Sequence, residues 1–192
     1  NKQPIFFQKR NYLFFLKKIR NEWEKYCDIL SYCLMPNHFH FILMPNENAC
    51  KQIIMAEKIT SMQYLSKQIG ITLSSYTRTI NNQNNTSGNL FQKKTKAKCL
   101  HTRQQDTLNL QPTVSAIHYL TNCFLYVHQN PLKAGLVKNL KDWPYSSWLD
   151  YAGLRNGGLC NQEKLLQLTG LSKYDCIDQN ILPNENAIKN FF

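Results

Sequence analysis

The sequence predicts an α+β fold, and three stretches carry that expectation. Residues 8–26, QKRNYLFFLKKIRNEWEKY, set Tyr12, Phe15, Ile19 and Trp23 at helical spacing with charges between them. That is the pattern of an amphipathic helix resting on a core. Residues 28–34 and 38–44 read as two short apolar strands broken by Pro36-Asn37. Residues 112–129, PTVSAIHYLTNCFLYVHQ, read as a longer helix with Pro112 in its first turn, running up to Asn130-Pro131.

The other elements follow from punctuation. Residues 47–69 are expected to form a helix that Gly70 ends. TLSSYTRTINN is expected as a second short helix with Thr72 or Ser74 as its cap, followed by the polar loop NNQNNTSGN. LFQKKTKAKCL alternates, so as a strand it sets Lys94, Lys96 and Lys98 on one face and Thr95, Ala97 and Cys99 on the other. Residues 102–112 read as loop, and LKAGLV and DWPYSSWLDYAGL as turn-punctuated segments. CNQEKLLQLTG is expected as a short helix capped by Asn161 and stopped by Gly170, and the tail beyond Lys173 is weakly patterned. Two parts are expected: a main domain over 1–150 and a helical extension and tail over 151–192.

Composition narrows the class. No run approaches the roughly 18 apolar residues of a membrane span. Seven cysteines, odd in number and without a C-x-x-C pair, read as reduced and packed residues of a cytoplasmic protein rather than a disulfide or zinc framework. The formal charge is +11, and between Lys58 and Arg103 there is no acidic residue at all. Such a one-sign stretch makes a positive field suited to phosphate backbones, although a solvated basic face has the same composition.

The chemistry centres on NHFHF. Side chains alternate along a strand, so His38 and His40 share one face while Phe39 and Phe41 share the other. Two imidazoles at that spacing can face one metal ion, and they equally suit a half-buried, hydrogen-bonded pair. Tyr126 and Asn130 lie four apart on the helix before Pro131, hence on one face. Held by His38, His40 and the Asn130 side chain, a metal could polarise a phosphate attacked by the Tyr126 phenol. The bland alternative is a packed tyrosine and an asparagine that ends a helix. Tyr119, seven residues before Tyr126, is the rival nucleophile, but Cys123 stands where an amide would be needed. His128 lies about 200° round the helix from Tyr126 and is excluded as a ligand. His101 and His118 are given no role.

MPNHFHFIL resembles the His-hydrophobic-His motif of the single-tyrosine transposases, and YVHQNPLKAGLV resembles their tyrosine helix. GNLFQKKTKAK and DWPYSSWLDYAGL match further blocks in the same order, so the resemblance runs roughly from Gln3 to Gly170. It is strongest to the REP-associated tyrosine transposases. The resemblance implies a ferredoxin-like antiparallel sheet with helices on one face and the histidine pair on a central strand. It implies cleavage and strand transfer of hairpin-flanked single-stranded DNA through a 5′-phosphotyrosine, with Mg²⁺ or Mn²⁺, in the bacterial cytoplasm at the nucleoid, by a monomer or homodimer. Residue by residue, Tyr126 corresponds to the nucleophile and His38, His40 and Asn130 to the metal ligands. Arg78, Lys93, Lys94, Lys96, Lys98 and Lys133 are the expected nucleic-acid contacts. Relatives carry a strand before the block resembling NKQPIFF, so a first strand is expected upstream of Asn1. The competing expectations are a non-catalytic single-stranded DNA- or RNA-binding module, and a metal-dependent phosphodiesterase that uses water.

Overall fold

Tyr12, Phe15, Ile19 and Trp23 are all buried on helix α1 (Lys9–Trp23), the stripe that the helical spacing predicts. The chain is described by a computed structural model covering residues 3–55, 58–92, 96–100, 114–172, 175 and 184, with backbone only over 54–61. After α1 come strands β1 (Cys27–Met35) and β2 (His38–Pro45), a short helix α2 (Glu47–Cys50), and strands β3 (Gln52–Met55) and β4 (Lys58–Gln63). Helices α3 (Tyr64–Asn84), α4 (Val114–Lys133), α5 (Trp148–Tyr151) and α6 (Gln162–Thr169) complete the order. The architecture is α+β. Its described strands form two two-stranded sheets, β1 with β2 and β3 with β4.

The chain divides into two compact units. The first comprises Asn1–Ile29, Leu34–Phe39 and Leu43–Thr95, and the second Leu30–Cys33, His40–Ile42 and Lys96–Phe192. The first is built on α1 packed against α3. Phe15 and Tyr76 meet edge to face with ring centroids 4.9 Å apart, and Phe6 stacks on Tyr12 at 4.5 Å. Buried aromatics of this size contribute roughly 1.5–3 kcal/mol each by leaving water. Polar groups inside this layer are matched. Trp23 Nε1 donates to Thr72 Oγ1 at 2.9 Å, and the Tyr76 hydroxyl donates to the Ile5 carbonyl at 2.8 Å. Asn11 fastens the start of α1, accepting from the Phe7 and Gln8 amides and donating to Gln83 Oε1.

Three expectations fail in this unit. Residues 47–69 are not one helix: α2 is a single turn, and β3–β4 form an antiparallel hairpin pairing Ile54 with Ile59. Gly70 does not stop a helix but lies inside α3, which runs on to Asn85, a residue in the left-handed conformation at φ 53°. Thr72 is accordingly no cap. It is buried mid-helix, and its hydroxyl donates to Glu22 Oε2 at 2.5 Å while accepting from Trp23. A glycine costs a helix interior about 1 kcal/mol. Packing Leu73, Tyr76 and Ile80 on this helix outweighs that cost. The lysine strand over 93–99 fails as well where it can be read. Residues 96–99 form no strand and all four are exposed, so their alternation buries no face. Lys93 and Lys94 lie outside the described residues, as do His101, the expected loop over 102–112 and Pro112.

In the second unit one hydroxyl organises the polar core. Ser147 Oγ accepts from the Tyr32 amide at 2.9 Å and lies 2.8 Å from His128 Nε2, while the Ser147 amide donates to the Tyr32 carbonyl at 3.0 Å. The Tyr151 hydroxyl donates to the Leu30 carbonyl, so α5 is tied to the strand at two levels. Arg155 grips both oxygens of the buried Asp150 at 2.8 Å each and reaches the Ser146 carbonyl. Asp150 Oδ1 also accepts from the Gly157 amide, and a Cβ on Gly157 would sit 2.7 Å from that oxygen.

The end of α4 differs from the expected stop at Asn130. The helix continues through Pro131 and closes beyond Lys133. There the Gly135 amide donates to Leu132 O and the Leu136 amide to Pro131 O, both at 2.9 Å, with Gly135 at φ 66°. That is a Schellman motif, which needs a residue free to turn left-handed. Asn161 and Gly170 perform as expected on α6: Asn161 Oδ1 accepts from the Lys164 amide, and Gly170 takes φ 70°. The described cysteines are free thiols, with Cys27, Cys33 and Cys123 buried.

Two stability effects follow. A Cβ on Gly70 meets nothing within 4 Å. Gly70→Ala is therefore expected to stabilise the protein by about 0.5–1 kcal/mol in urea melts; an unchanged or lowered midpoint would contradict a continuous α3. His128 is buried between Phe124 and Tyr151, and burial lowers its pKa to about 3. Among the described residues its Nδ1 has no hydrogen-bond partner, so protonation would leave an N–H without an acceptor there. An unfolded histidine takes its proton near pH 6.5, so between the two values the unfolded state binds the extra proton. The stability held by neutral His128 is complete above about pH 6.5 and falls by up to about 1.4 kcal/mol per pH unit below it. Urea melts of the protein and of His128→Gln should converge as pH falls through that window, and parallel pH profiles would refute the assignment.

Candidate active site around Tyr126

The strand and helix periods explain which side chains meet. β2 alternates, and His40 is half-buried on it. On α4, residues 119, 126 and 133 are spaced by sevens, so Tyr119, Tyr126 and Lys133 fall along nearly one line. The His40 and Tyr126 rings meet edge to face, with centroids 6.0 Å apart and planes at 89°. Lys133 Nζ stands 5.1 Å from the centre of the Tyr126 ring, and Lys98 Nζ stands 5.3 Å from that of Tyr119. Each contact is a cation over an aromatic face, worth about 0.5–1 kcal/mol where exposed.

Asn130 is buried, and Pro131 explains how its side chain is used. Proline has no N–H for the Val127 carbonyl four residues back. Asn130 Nδ2 lies 3.4 Å from that carbonyl and donates to the Tyr126 carbonyl at 2.8 Å. The side-chain amide thus covers the gap in the ladder. With its nitrogen spent on the backbone, the Asn130 carbonyl oxygen is the atom of that side chain suited to a cation.

His38 is exposed, and its Nδ1 lies 2.7 Å from Asn37 Oδ1. Desolvation of the ring holds its pKa below the ordinary histidine value, which favours the neutral, ligand-competent imidazole. Among the described residues no three His, Cys, Asp or Glu side chains converge. His38, His40 and Asn130 would offer a metal imidazole nitrogen and amide oxygen. That donor chemistry fits Mn²⁺ more closely than Mg²⁺, which prefers oxygen and keeps its waters.

The structure brings His40, Tyr126, Asn130 and Lys133 together in the second unit and places His38 two residues before His40 on β2. Lys96 and Lys98 also belong to the second unit, on exposed irregular backbone, whereas Arg78 is exposed on α3 in the first. His128 is buried and bonded to Ser147, in keeping with its exclusion as a ligand. Lys133, expected as a nucleic-acid contact, stands over the Tyr126 ring. Its seven-residue spacing from Tyr126 was the available signal. Nothing in the sequence signals the Lys98–Tyr119 contact, since the two residues come from distant segments. Compared with protein-family models, curated proteins and solved structures, the chain matches none.

If Asn130 completes the ladder at Pro131, Asn130→Ala should cost about 0.5–1.5 kcal/mol, the worth of a hydrogen bond. The loss should shrink in a Pro131→Ala background, where the backbone supplies the missing N–H. Four chemical-denaturation curves complete the cycle; strictly additive losses would contradict the shared role.

Proposed function

We propose that the chain cleaves single-stranded DNA at hairpin-flanked sites and rejoins it by transesterification, as a transposase-like enzyme with Tyr126 as nucleophile. The observation that carries this reading is the edge contact of His40 with Tyr126, with Asn130 one helical turn further on. Tyr126 meets His40 and is followed by an amide four residues later, whereas Tyr119 has Cys123 at that spacing. The order of the four sequence blocks that resemble REP-associated tyrosine transposases supports the same assignment. A ferredoxin-like sheet around the histidine strand belongs to the proposal too. Burial of β1 at eight of its nine positions favours an inner strand.

The chemistry assigned to the residues is as follows. The Tyr126 phenol oxygen attacks the scissile phosphorus as its proton departs. A P–O bond to the tyrosine forms, and the bond to the 3′ oxygen breaks. That oxygen leaves as a 3′-hydroxyl after taking up a proton, and the 5′-phosphate stays on the enzyme. Attack by another 3′-hydroxyl reverses the sequence and joins strands. Lys133 holds a positive charge beside the phenol where negative charge develops. His38, His40 and the Asn130 oxygen would hold Mg²⁺ or Mn²⁺. When bound, such an ion supplies Lewis-acid stabilisation of the phosphate. Lys96 and Lys98, with Lys93 and Lys94, provide sequence-independent attraction for the strand.

Labelled hairpin-flanked single-stranded DNA incubated with the protein and Mn²⁺ should give a covalent adduct resistant to denaturation. Tyr126→Phe should abolish it, Tyr119→Phe should retain it, and EDTA should prevent it. An adduct that survives in Tyr126→Phe rejects the nucleophile. DNA binding without any cleavage identifies a binding module instead. Cleavage with no adduct, undiminished in Tyr126→Phe, identifies hydrolysis by water.

A further inference from the structure

His38 is the first residue of β2, and Pro36 and Asn37 are the two residues that join that strand to β1. An exposed imidazole such as this one can carry its proton on either ring nitrogen unless a neighbour selects one of them. Asn37 is placed to make that selection. The atom it turns toward the ring is its amide oxygen, 2.7 Å from Nδ1. A carbonyl oxygen only accepts, so a bond of that length requires the proton on Nδ1. Nε2 is then left with its lone pair, the form in which an imidazole binds a cation. His128 makes the opposite choice. Its Nε2 lies 2.8 Å from a Ser147 hydroxyl that already donates to the Tyr32 carbonyl, so at His128 the proton is on Nε2.

The acceptor at His38 is itself held in place. Asn37 is half-buried, and the carbonyl of the residue before it takes two hydrogen bonds. The Ile5 and Phe6 amides donate to the Pro36 oxygen at 2.8 and 3.1 Å. Ile5 is fastened in turn by the Tyr76 hydroxyl on its carbonyl, and the Phe6 ring meets Phe15 edge to face at 5.3 Å. On the other side of His38, Phe39 packs against Phe15 and Phe91, with ring centroids 5.4 and 5.8 Å away. All of these residues belong to the first unit. With the backbone fixed before and after His38, a bond between adjacent side chains has little left to order and can set the ring.

We propose that Asn37 is a positioning residue: by accepting from Nδ1–H it holds His38 in the tautomer whose Nε2 is open to a cation. Its bearing on a cation rests on the reading of His38 as a metal ligand, but the tautomer is measurable without any metal. NMR of the nitrogen-labelled imidazole rings in the whole chain, metal-free at about pH 8 and so above the ordinary histidine range near 6.5, tells a protonated ring nitrogen from one with a lone pair. His38 should show Nδ1–H and His128 Nε2–H. Asn37→Ala should move His38 toward the Nε2–H form that free histidine prefers, with His128 unchanged. Asn37→Asp should keep Nδ1–H, because a carboxylate can only accept. Mn²⁺ followed by its electron paramagnetic resonance should bind Asn37→Ala about tenfold or more weakly than the unaltered protein, the loss typical of a group that orients a metal-bound imidazole. Circular dichroism should show the same fold in all three proteins. A His38 that carries its proton on Nε2 in the unaltered protein, or that keeps one tautomer throughout, would overturn the proposal. A tautomer change with equal Mn²⁺ affinity would overturn it too, since the ring would be set to no purpose at the cation. Mn²⁺ that binds none of the proteins, while His38 is held on Nδ1 and released by Asn37→Ala, would reject the metal reading and uphold the assignment of Asn37.

Discussion

The Ser147 hydroxyl is the interaction on which the second unit depends. It meets the Tyr32 amide on β1 and His128 on α4 at once, from a residue that starts α5. Strand, long helix and short helix are thereby fixed to one another through a single side chain. The tautomer follows from the same network. An Nε2–H directed at Ser147 leaves Nδ1 as a buried acceptor, which costs less than a buried unpartnered N–H. Removing the hydroxyl would loosen α4 against the strand and, with it, the approach of Tyr126 to His40.

On that support the site is made from spacing. Seven-residue steps put Tyr119, Tyr126 and Lys133 on one line, and the alternation of β2 presents His40 to that line at Tyr126. Pro131 would ordinarily end the helix before the third of these. Asn130 lets the helix continue by turning its amide back onto the Tyr126 and Val127 carbonyls. The extra turn brings Lys133 over the tyrosine ring. One asparagine thus serves helix continuity one turn after Tyr126.

Much of this was legible in the residues. The Tyr12, Phe15, Ile19, Trp23 stripe, the β1–β2 hairpin and the Asn161–Gly170 frame of α6 have strong periods or true caps. The contact of Tyr126 with His40 agrees with the expectation that the helix bearing the tyrosine faces the histidine strand. Other features were obscured by competing forces. Gly70 looks like a helix stop, yet tertiary burial of Thr72, Leu73 and Tyr76 outweighs its poor propensity. β3 and β4 are too short to show a period, and no strong turn signal separates them. The lysine run alternates well on paper, but alternation makes a strand only when one face is covered, and residues 96–99 are exposed on both. Gly135 held the true end of α4, and its signal was masked by the proline four residues earlier.

The proposal that His38, His40 and Asn130 would hold a cation beside Tyr126 is the one that most directly decides the account. Substoichiometric Mn²⁺ added to the protein, followed by NMR of the imidazole and tyrosine ring protons, measures it without turnover. The account predicts paramagnetic broadening of His38, His40 and Tyr126 signals first, with Tyr119, two turns away on α4, affected less. Sharp His40 and Tyr126 signals while other residues broaden would place the ion elsewhere and contradict it.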